Sequence, residues 1–215
     1  MRALPKSSRS PGPKASQRQP GRHAVADAGR AAAGPRRRPS DGGRAGENMA
    51  ATEHWVPAYV ALGSNLDDPA RQIALAFDAL GTLPQSRLVL RSPSYLSRPM
   101  GPVEQPDFIN AAAGLLTLLD PAEMLKALQH LESRLGRAVP ELRWGPRRID
   151  LDLLVHGDAR MDEENLKLPH PGIAGRAFVL APLADIAPEL VVPGLGRVKT
   201  LLGRIDTGRL ERIAA

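Results

Sequence analysis

Twice in this chain an apolar run is cut off by an Asp-Pro pair, and each time a helical pattern follows. The pairs are Asp68-Pro69 and Asp120-Pro121. An Asp side chain accepts from the free N–H groups of a first helical turn, and Pro at the first helical position has no N–H to leave unpaired. The second pair continues as Asp120-Pro121-Ala122-Glu123, the signature of a capping box. The starts of two helices are therefore set by local chemistry. The first carries Ile73, Phe77 and Leu80 as its apolar stripe. The second carries Leu125, Leu128, Leu131 and Leu135 and stops at Gly136.

The segments around these helices read as strands. Pro57 to Leu62 is the first, leaving through the turn Gly63-Ser64-Asn65. Arg87 to Ser97 is a second, polar-interrupted strand, followed by a stiff Pro- and Gly-rich loop from Arg98 to Pro106. Phe108 to Leu118 is the third. The stretch Arg143-Trp144-Gly145-Pro146-Arg147-Arg148-Ile149-Asp150-Leu151-Asp152-Leu153-Leu154 supplies the fourth. The order strand–helix–strand–strand–helix–strand predicts an α+β fold of the ferredoxin-like split βαβ type, an antiparallel sheet with both helices on one face. From Asp158 onward the chain reads as an added C-terminal arm, with a helix over Arg176 to Ala187 and a short one around Leu201.

Composition divides the chain. Residues 1–48 hold 11 Lys and Arg against 3 Asp and Glu, a net of +8. The other 167 residues hold 18 against 20, a net of −2. The positive balance thus belongs to a leader rich in Pro, Gly, Ser and Arg, too poor in apolar surface to offset the entropy of ordering. A disordered leader over 1–54 and one folded domain over 55–215 are expected. The leader reads as a basic tail, a transit peptide or translated upstream sequence with the working start at Met49, and the last is favoured. The acid-leaning domain lacks the basic face of a nucleic-acid binder. There is no cysteine, which excludes disulfides, thiolate nucleophiles and Cys-based zinc sites. No apolar run nears the roughly 18 residues of a membrane span. A cytoplasmic monomer is expected.

The fourth strand carries the chemistry. Successive strand side chains point to opposite faces, so Asp150 and Asp152 share one face while Ile149, Leu151 and Leu153 share the other. Asp-x-Asp by itself is also what the outer face of a half-exposed strand looks like. Here Arg143, Arg147 and Arg148 stand beside it. Carboxylates suit a hard cation such as Mg²⁺, whose octahedron waters and phosphate oxygens complete. Guanidinium forks suit phosphate oxygens. Together they are the equipment of phosphoryl transfer. Phe108 and Asn110 also share a face, a ring and a carboxamide that can receive a flat heterocycle, although Phe108 alone reads as core. Gln129 and Glu132 neighbour each other on the second helix. They could hold a nucleotide's sugar or base, or merely form a solvated face. His170 lies between prolines and could meet a phosphate. Arg176 and Phe178 could close over a site. Gly194 to Thr200 lacks the ending of a phosphate loop, so any ATP is bound without one.

These pieces, in order, resemble the 6-hydroxymethyl-7,8-dihydropterin pyrophosphokinase family of folate biosynthesis. The resemblance rests on Ala61-Leu62-Gly63-Ser64-Asn65, Gly101-Pro102, Gln105-Pro106-Asp107-Phe108-Ile109-Asn110, Gly136-Arg137, Arg143 to Asp152, Leu168-Pro169-His170-Pro171 and Arg176 to Leu180. It implies transfer of the β,γ-pyrophosphoryl group of ATP to the hydroxymethyl oxygen of 6-hydroxymethyl-7,8-dihydropterin, releasing AMP. It further implies two Mg²⁺ ions on Asp150 and Asp152. The pterin would lie between Phe108 and Phe178, with Asn110 on its edge and the backbone of Ser97, Arg98 and Met100 nearby. Gln129, Glu132, Trp144, Arg147, Leu153, His170 and Arg176 would serve ATP, and Arg137, Arg147 and Arg176 would act on the reacting phosphates. Two departures stand out. The family often has an arginine where this chain has Val139, and basic residues where it has Gly172-Ile173-Ala174-Gly175. The alternatives are a ferredoxin-like nucleic-acid module with a basic tail, and a pterin-binding relative without turnover.

Overall fold

A computed structural model of the chain describes residues 54–102, 104–137 and 145–213. The leader up to residue 53, Val139, Arg143 and Trp144 lie outside the described residues. The elements, in chain order, are β1 (Val56–Ser64), α1 (Pro69–Gly81), β2 (Ser86–Arg91), β3 (Tyr95–Ser97), β4 (Phe108–Thr117), α2 (Pro121–Arg134), β5 (Asp150–His156), β6 (Met161–Asp162), β7 (Lys167–Leu168), α3 (Ala177–Ile186), β8 (Val191–Val192), β9 (Gly196–Arg197), α4 (Val198–Leu202) and β10 (Glu211–Arg212).

Both Asp-Pro pairs start helices. Asp68 accepts from the Arg71 N–H at 3.3 Å. At α2, Asp120 accepts from the Glu123 N–H at 2.8 Å and Glu123 accepts from the Asp120 N–H at 2.9 Å, which closes the capping box. The helix ends where Gly136 takes φ +84°, a conformation side chains disfavour.

The principal sheet runs β10-β3-β4-β1-β5, with β2 also paired to β4, and its pairings are antiparallel. β1 is central. The expected single strand over Arg87 to Ser97 is instead two, β2 and β3, broken at Ser92-Pro93-Ser94. Pro93 has no N–H for a ladder. Ser92 bridges the break: its N–H donates to the Ala112 carbonyl at 2.9 Å, and its Oγ accepts from the Ala112 N–H at 2.8 Å.

The two sheet faces are packed separately. Val60, Leu62, Leu115, Leu151 and Leu153 meet Ile73, Phe77 and Leu80 of α1 and Met124, Leu128 and Leu131 of α2 in one buried cluster. The opposite face carries Ala61, Ala112 and Leu154, which pack with Val179, Leu180 and Leu183 of α3 and Val198 and Leu201 of α4. A register shift beside Tyr59 and Val60 places Val155 on this second face, next to Leu154. Leu128 is fully buried, so its truncation to Ala would cost about 2–5 kcal/mol.

Candidate active site

Pairing of β4, β1 and β5 lines up residues from three distant parts of the sequence. One row reads Asn110–Gly63–Asp150 and the row two residues along reads Ala112–Ala61–Asp152. All six belong to the face on which α3 packs. Neighbouring strands lie about 4.8 Å apart, so Asn110 and Asp150 stand roughly 10 Å from each other across a glycine. A Cβ on Gly63 would sit 3.6 Å from Asn110 Oδ1, 3.9 Å from Asp150 Cβ and 4.0 Å from Phe108 Cδ1. Gly63 and Ala61 thus form a low floor between an amide and two carboxylates. Above that floor is a cavity of about 300 Å³. Phe178 and Val179, at the start of α3, line it from above the sheet.

The amide side is neutral and internally bonded. Asn110 is buried, and its Nδ2 donates to Ser97 Oγ at 2.9 Å and, more weakly, to the Tyr95 carbonyl at 3.4 Å. Its Oδ1 is the amide atom next to Gly63, available to accept from a ligand's N–H edge.

The carboxylate side is a lattice of ions. Arg147 Nη1 lies 2.6 Å from Asp150 Oδ2 and Arg137 Nη1 lies 2.9 Å from Asp150 Oδ1. Arg137 also pairs with Glu132, whose carboxylate accepts from the Leu151 N–H at 2.7 Å. Burial pushes the Glu132 carboxyl up to about 7, against the lowering effects of the Leu151 N–H and Arg137. Burial and then the neighbouring Asp150 charge raise the Asp152 carboxyl, while His170, Arg176 and Arg137 oppose the rise. Burial lowers the His170 imidazole. Its Nδ1 accepts from the Gly172 N–H at 3.0 Å, so the neutral ring carries its proton on Nε2. Arg176 lies against Gly172, where an added Cβ would come within 2.8 Å of its guanidinium, and 6.0 Å from the centre of the Phe178 ring.

Among the described residues no three or more His, Asp or Glu converge as a metal cage. Two adjacent carboxylates on a rigid strand, one of them raised by the other's charge, nonetheless suit a hard cation that fills its remaining positions with water and phosphate oxygens. A second cavity of about 250 Å³ adjoins, lined by Leu125, Leu151, Leu153, Lys167 and His170. Asp152 lines both cavities.

The structure brings Ser97, Arg98, Met100, Phe108, Asn110, Arg137, Arg147, Asp150, Asp152, Arg176 and Phe178 to the first cavity. Leu153 and His170 line the second. Glu132 lines neither and sits buried behind Arg137 and Leu151. Gln129 is exposed on α2 and lines neither cavity. Trp144 lies outside the described residues.

One residue had no site role assigned from the sequence. Asn65 is buried at the exit of β1, where its Nδ2 donates to Gln105 Oε1 and to the Pro106 carbonyl, each at 3.0 Å. Its Oδ1 accepts from the Arg147 N–H at 2.8 Å, and its own N–H donates to the Arg147 carbonyl at 3.1 Å. It staples the loop before Phe108 to the loop before Asp150. The Gly-Ser-Asn turn was visible in sequence, but its partners were not.

Residues 59–188 match the family described as 7,8-dihydro-6-hydroxymethylpterin-pyrophosphokinase. The chain is similar to the 2-amino-4-hydroxy-6-hydroxymethyldihydropteridine pyrophosphokinase of Pseudomonas aeruginosa, at 49% identity over 72% of this chain and 95% of that protein. It is similar to the protein of the same name from Haemophilus influenzae, at 44% over 64% and 86%. It also resembles the folic acid synthesis protein fol1 of Schizosaccharomyces pombe, at 38% over 63% of this chain and 18% of that one. Among solved structures it resembles Plasmodium falciparum HPPK-DHPS with pteroate, with a TM-score of 0.60 at 14% identity, over 75% of this chain and 48% of the other. That last likeness concerns the fold alone, and the chain spans about half the length of that protein.

Proposed function

The chain belongs to the 7,8-dihydro-6-hydroxymethylpterin-pyrophosphokinase family, and on that premise we propose how its cavity performs the family's reaction. The protein is an ATP-dependent pyrophosphokinase of folate synthesis. It transfers pyrophosphate from ATP to the hydroxymethyl group of 6-hydroxymethyl-7,8-dihydropterin and releases AMP.

The pterin lies over Gly63 between Phe108 and Phe178, with Asn110 Oδ1 on its N–H edge and the Ser97, Arg98 and Met100 backbone around it. The observation that carries this assignment is the row Asn110–Gly63–Asp150, an amide and a carboxylate about two strand spacings apart on one floor. A flat ring read by Asn110 extends its hydroxymethyl group toward Asp150 and Asp152. ATP takes the second cavity, with Leu153 and His170 against it, and its triphosphate reaches the first cavity past Asp152. The family resemblance adds Gln129, Glu132 and Trp144 to the ATP set, Gln129 and Glu132 from outside both cavities.

The hydroxymethyl oxygen attacks the β-phosphorus. The bond from that phosphorus to the oxygen bridging toward the α-phosphate breaks, AMP leaves with that oxygen, and the hydroxyl proton is released. Arg137 and Arg147 exchange Asp150 for phosphate oxygens, and Arg176 closes from the start of α3. No strong base faces the hydroxyl among the lining residues, so holding it in line accounts for the rate. Asp150 and Asp152 would hold Mg²⁺, two ions in this reading, which neutralises charge on the transferred group.

We further propose a ferredoxin-like core with a C-terminal arm, a leader over 1–54 ahead of a domain over 55–215, and a cytoplasmic monomer with no nucleic-acid partner. The −2 balance of residues 49–215 supports the last point. Among the described residues no helix is long and apolar enough to cross a membrane. The decisive test is AMP formation from ATP and the hydroxymethyl pterin with Asp150→Ala and Asp152→Ala, on chains starting at Met1 and at Met49. Each substitution is expected to lower the rate on the order of 1000-fold with the circular dichroism spectrum intact. Full activity in either would overturn the carboxylate assignment.

A further inference from the structure

Asn110 owes its orientation to β3, a strand of three residues bounded by Pro93 on one side and Arg98-Pro99 on the other. So short a strand has little ladder of its own. One edge pairs with β4, setting Tyr95 opposite Asn110 and Ser97 opposite Phe108. The other edge is covered by the end of the chain: Glu211 pairs with Leu96, Arg212 pairs with Tyr95, and the Ile213 N–H donates to the Ser94 carbonyl at 2.9 Å.

One carboxylate then joins three elements. Tyr95 Oη donates to Asp185 Oδ2 at 2.6 Å, and Arg212 Nε lies 4.0 Å from the same oxygen. Asp185 stands in the last turn of α3, whose first turn carries Phe178. Burial and the Asp185 carboxylate push the Tyr95 hydroxyl up to about 12, so it remains a donor at working pH. Neither Tyr95 nor Asp185 lines either cavity.

We propose that Tyr95 and Asp185, strapped by β10, are positioning residues for the pterin. They hold β3 in register against β4, so that Ser97 and the Tyr95 carbonyl fix the Asn110 amide, and they tie that amide to the helix carrying Phe178. The inference rests on the pterin site proposed above. It assigns the chain's end a part in selecting the flat ring, and none in holding ATP, whose cavity is built from α2, β5, β7 and the residues around them.

The test uses the full chain with Tyr95→Phe and, separately, Asp185→Asn, since both changes keep side-chain volume. Equilibrium binding of 6-hydroxymethylpterin and of a non-hydrolysable ATP analogue is measured with KM for each substrate, kcat and Tm. Both variants are expected to weaken pterin binding and raise its KM roughly tenfold, the scale of one hydrogen bond to a charged group. ATP-analogue binding and kcat should stay within about threefold, less than 1 kcal/mol. The double variant should bind pterin no worse than either single one. Pterin affinity unchanged in both variants would overturn the inference. So would equal weakening of both ligands with a matching fall in Tm, which is what a merely structural bond gives. A wild-type chain that binds the ATP analogue but no pterin would overturn the site assignment itself, and this inference with it.

Discussion

The two halves of the cavity meet at Gly63 but are held by different forces. On the Asn110 side the polar groups are neutral, and they are satisfied by one another and by the β3–β4 ladder. On the Asp150 side the groups are ionisable and are held mainly by ion pairs: Arg147 and Arg137 on Asp150, Arg137 again on Glu132, whose carboxylate also accepts from the Leu151 N–H. A neutral ligand can enter the first half without breaking a bond there. Phosphate entering the second must take arginines away from carboxylates, so those carboxylates need a new cation. The half proposed for the pterin is therefore preformed, while the half proposed for the phosphates is exchanged on binding.

Asn65 is the joint between them, and its loss should disturb both halves at once. Asn65→Ala removes bonds to Gln105, Pro106 and Arg147 at once and leaves buried groups unpaired. A stability cost of about 2–4 kcal/mol is expected. Because both loops move relative to the reacting atoms, kcat/KM should fall about 100-fold, with both substrates affected. Denaturant titration and steady-state kinetics check this, and an effect on one substrate alone would mean that the halves are not coupled there. Gly63→Val acts on one half. A Cβ fits at ordinary contact distance, but the two further methyls of Val project into the floor beside Asn110 and Phe108. Pterin binding should weaken by about 1–3 kcal/mol, roughly tenfold to hundredfold, with ATP-analogue binding retained. Gly63→Ala should stay within about threefold of wild type.

The same contrast explains what could be read in the sequence. Side-chain alternation along one strand is local, so the shared faces of Phe108 with Asn110 and of Asp150 with Asp152 were legible. The Asp-Pro caps were legible for the same reason. The row Asn110–Gly63–Asp150 was not, because it depends on the register between strands more than 40 residues apart in sequence. Arg137 reaches Glu132 and Asp150 only after the chain turns at Gly136, where positive φ redirects it. Gln129 and Glu132 are three residues apart on one helix, yet Glu132 faces the sheet and Gln129 faces solvent, a difference set by how α2 is rolled. Pro93 could have warned of the break between β2 and β3. The two residues of β10 carry no pattern at all.

The charged half should respond to pH where the neutral half does not. Glu132 has an ordinary carboxyl value of 4.5 and about 7 in the fold, so the folded chain holds its proton more tightly. That contribution to stability is fully present below about pH 4.5 and is lost as pH rises through about 7. Without metal, the stability of wild type relative to Glu132→Gln should fall by about 1–3 kcal/mol between pH 5 and pH 8. Denaturant titrations of both chains across that range measure the difference. A flat difference would mean that Arg137 keeps the carboxylate ionised throughout.

The smallest effect is expected at Gly172, one of the positions where this chain has Gly in place of the family's basic residues. Its lack of a side chain gives Arg176 a place to lie, and a Cβ there would meet the guanidinium at 2.8–2.9 Å. The clashing atoms are the far end of a flexible side chain, so Gly172→Ala should move Arg176 without unfolding the loop. The Gly172 N–H to His170 Nδ1 bond uses the backbone and survives the change. If the resting place of Arg176 matters for its closure on phosphate, kcat should shift by about threefold, less than 1 kcal/mol, with pterin affinity unchanged. Were pterin affinity to change instead, Arg176 would belong with Phe178 to the neutral half, and the division between the two halves would have to be drawn on the other side of it.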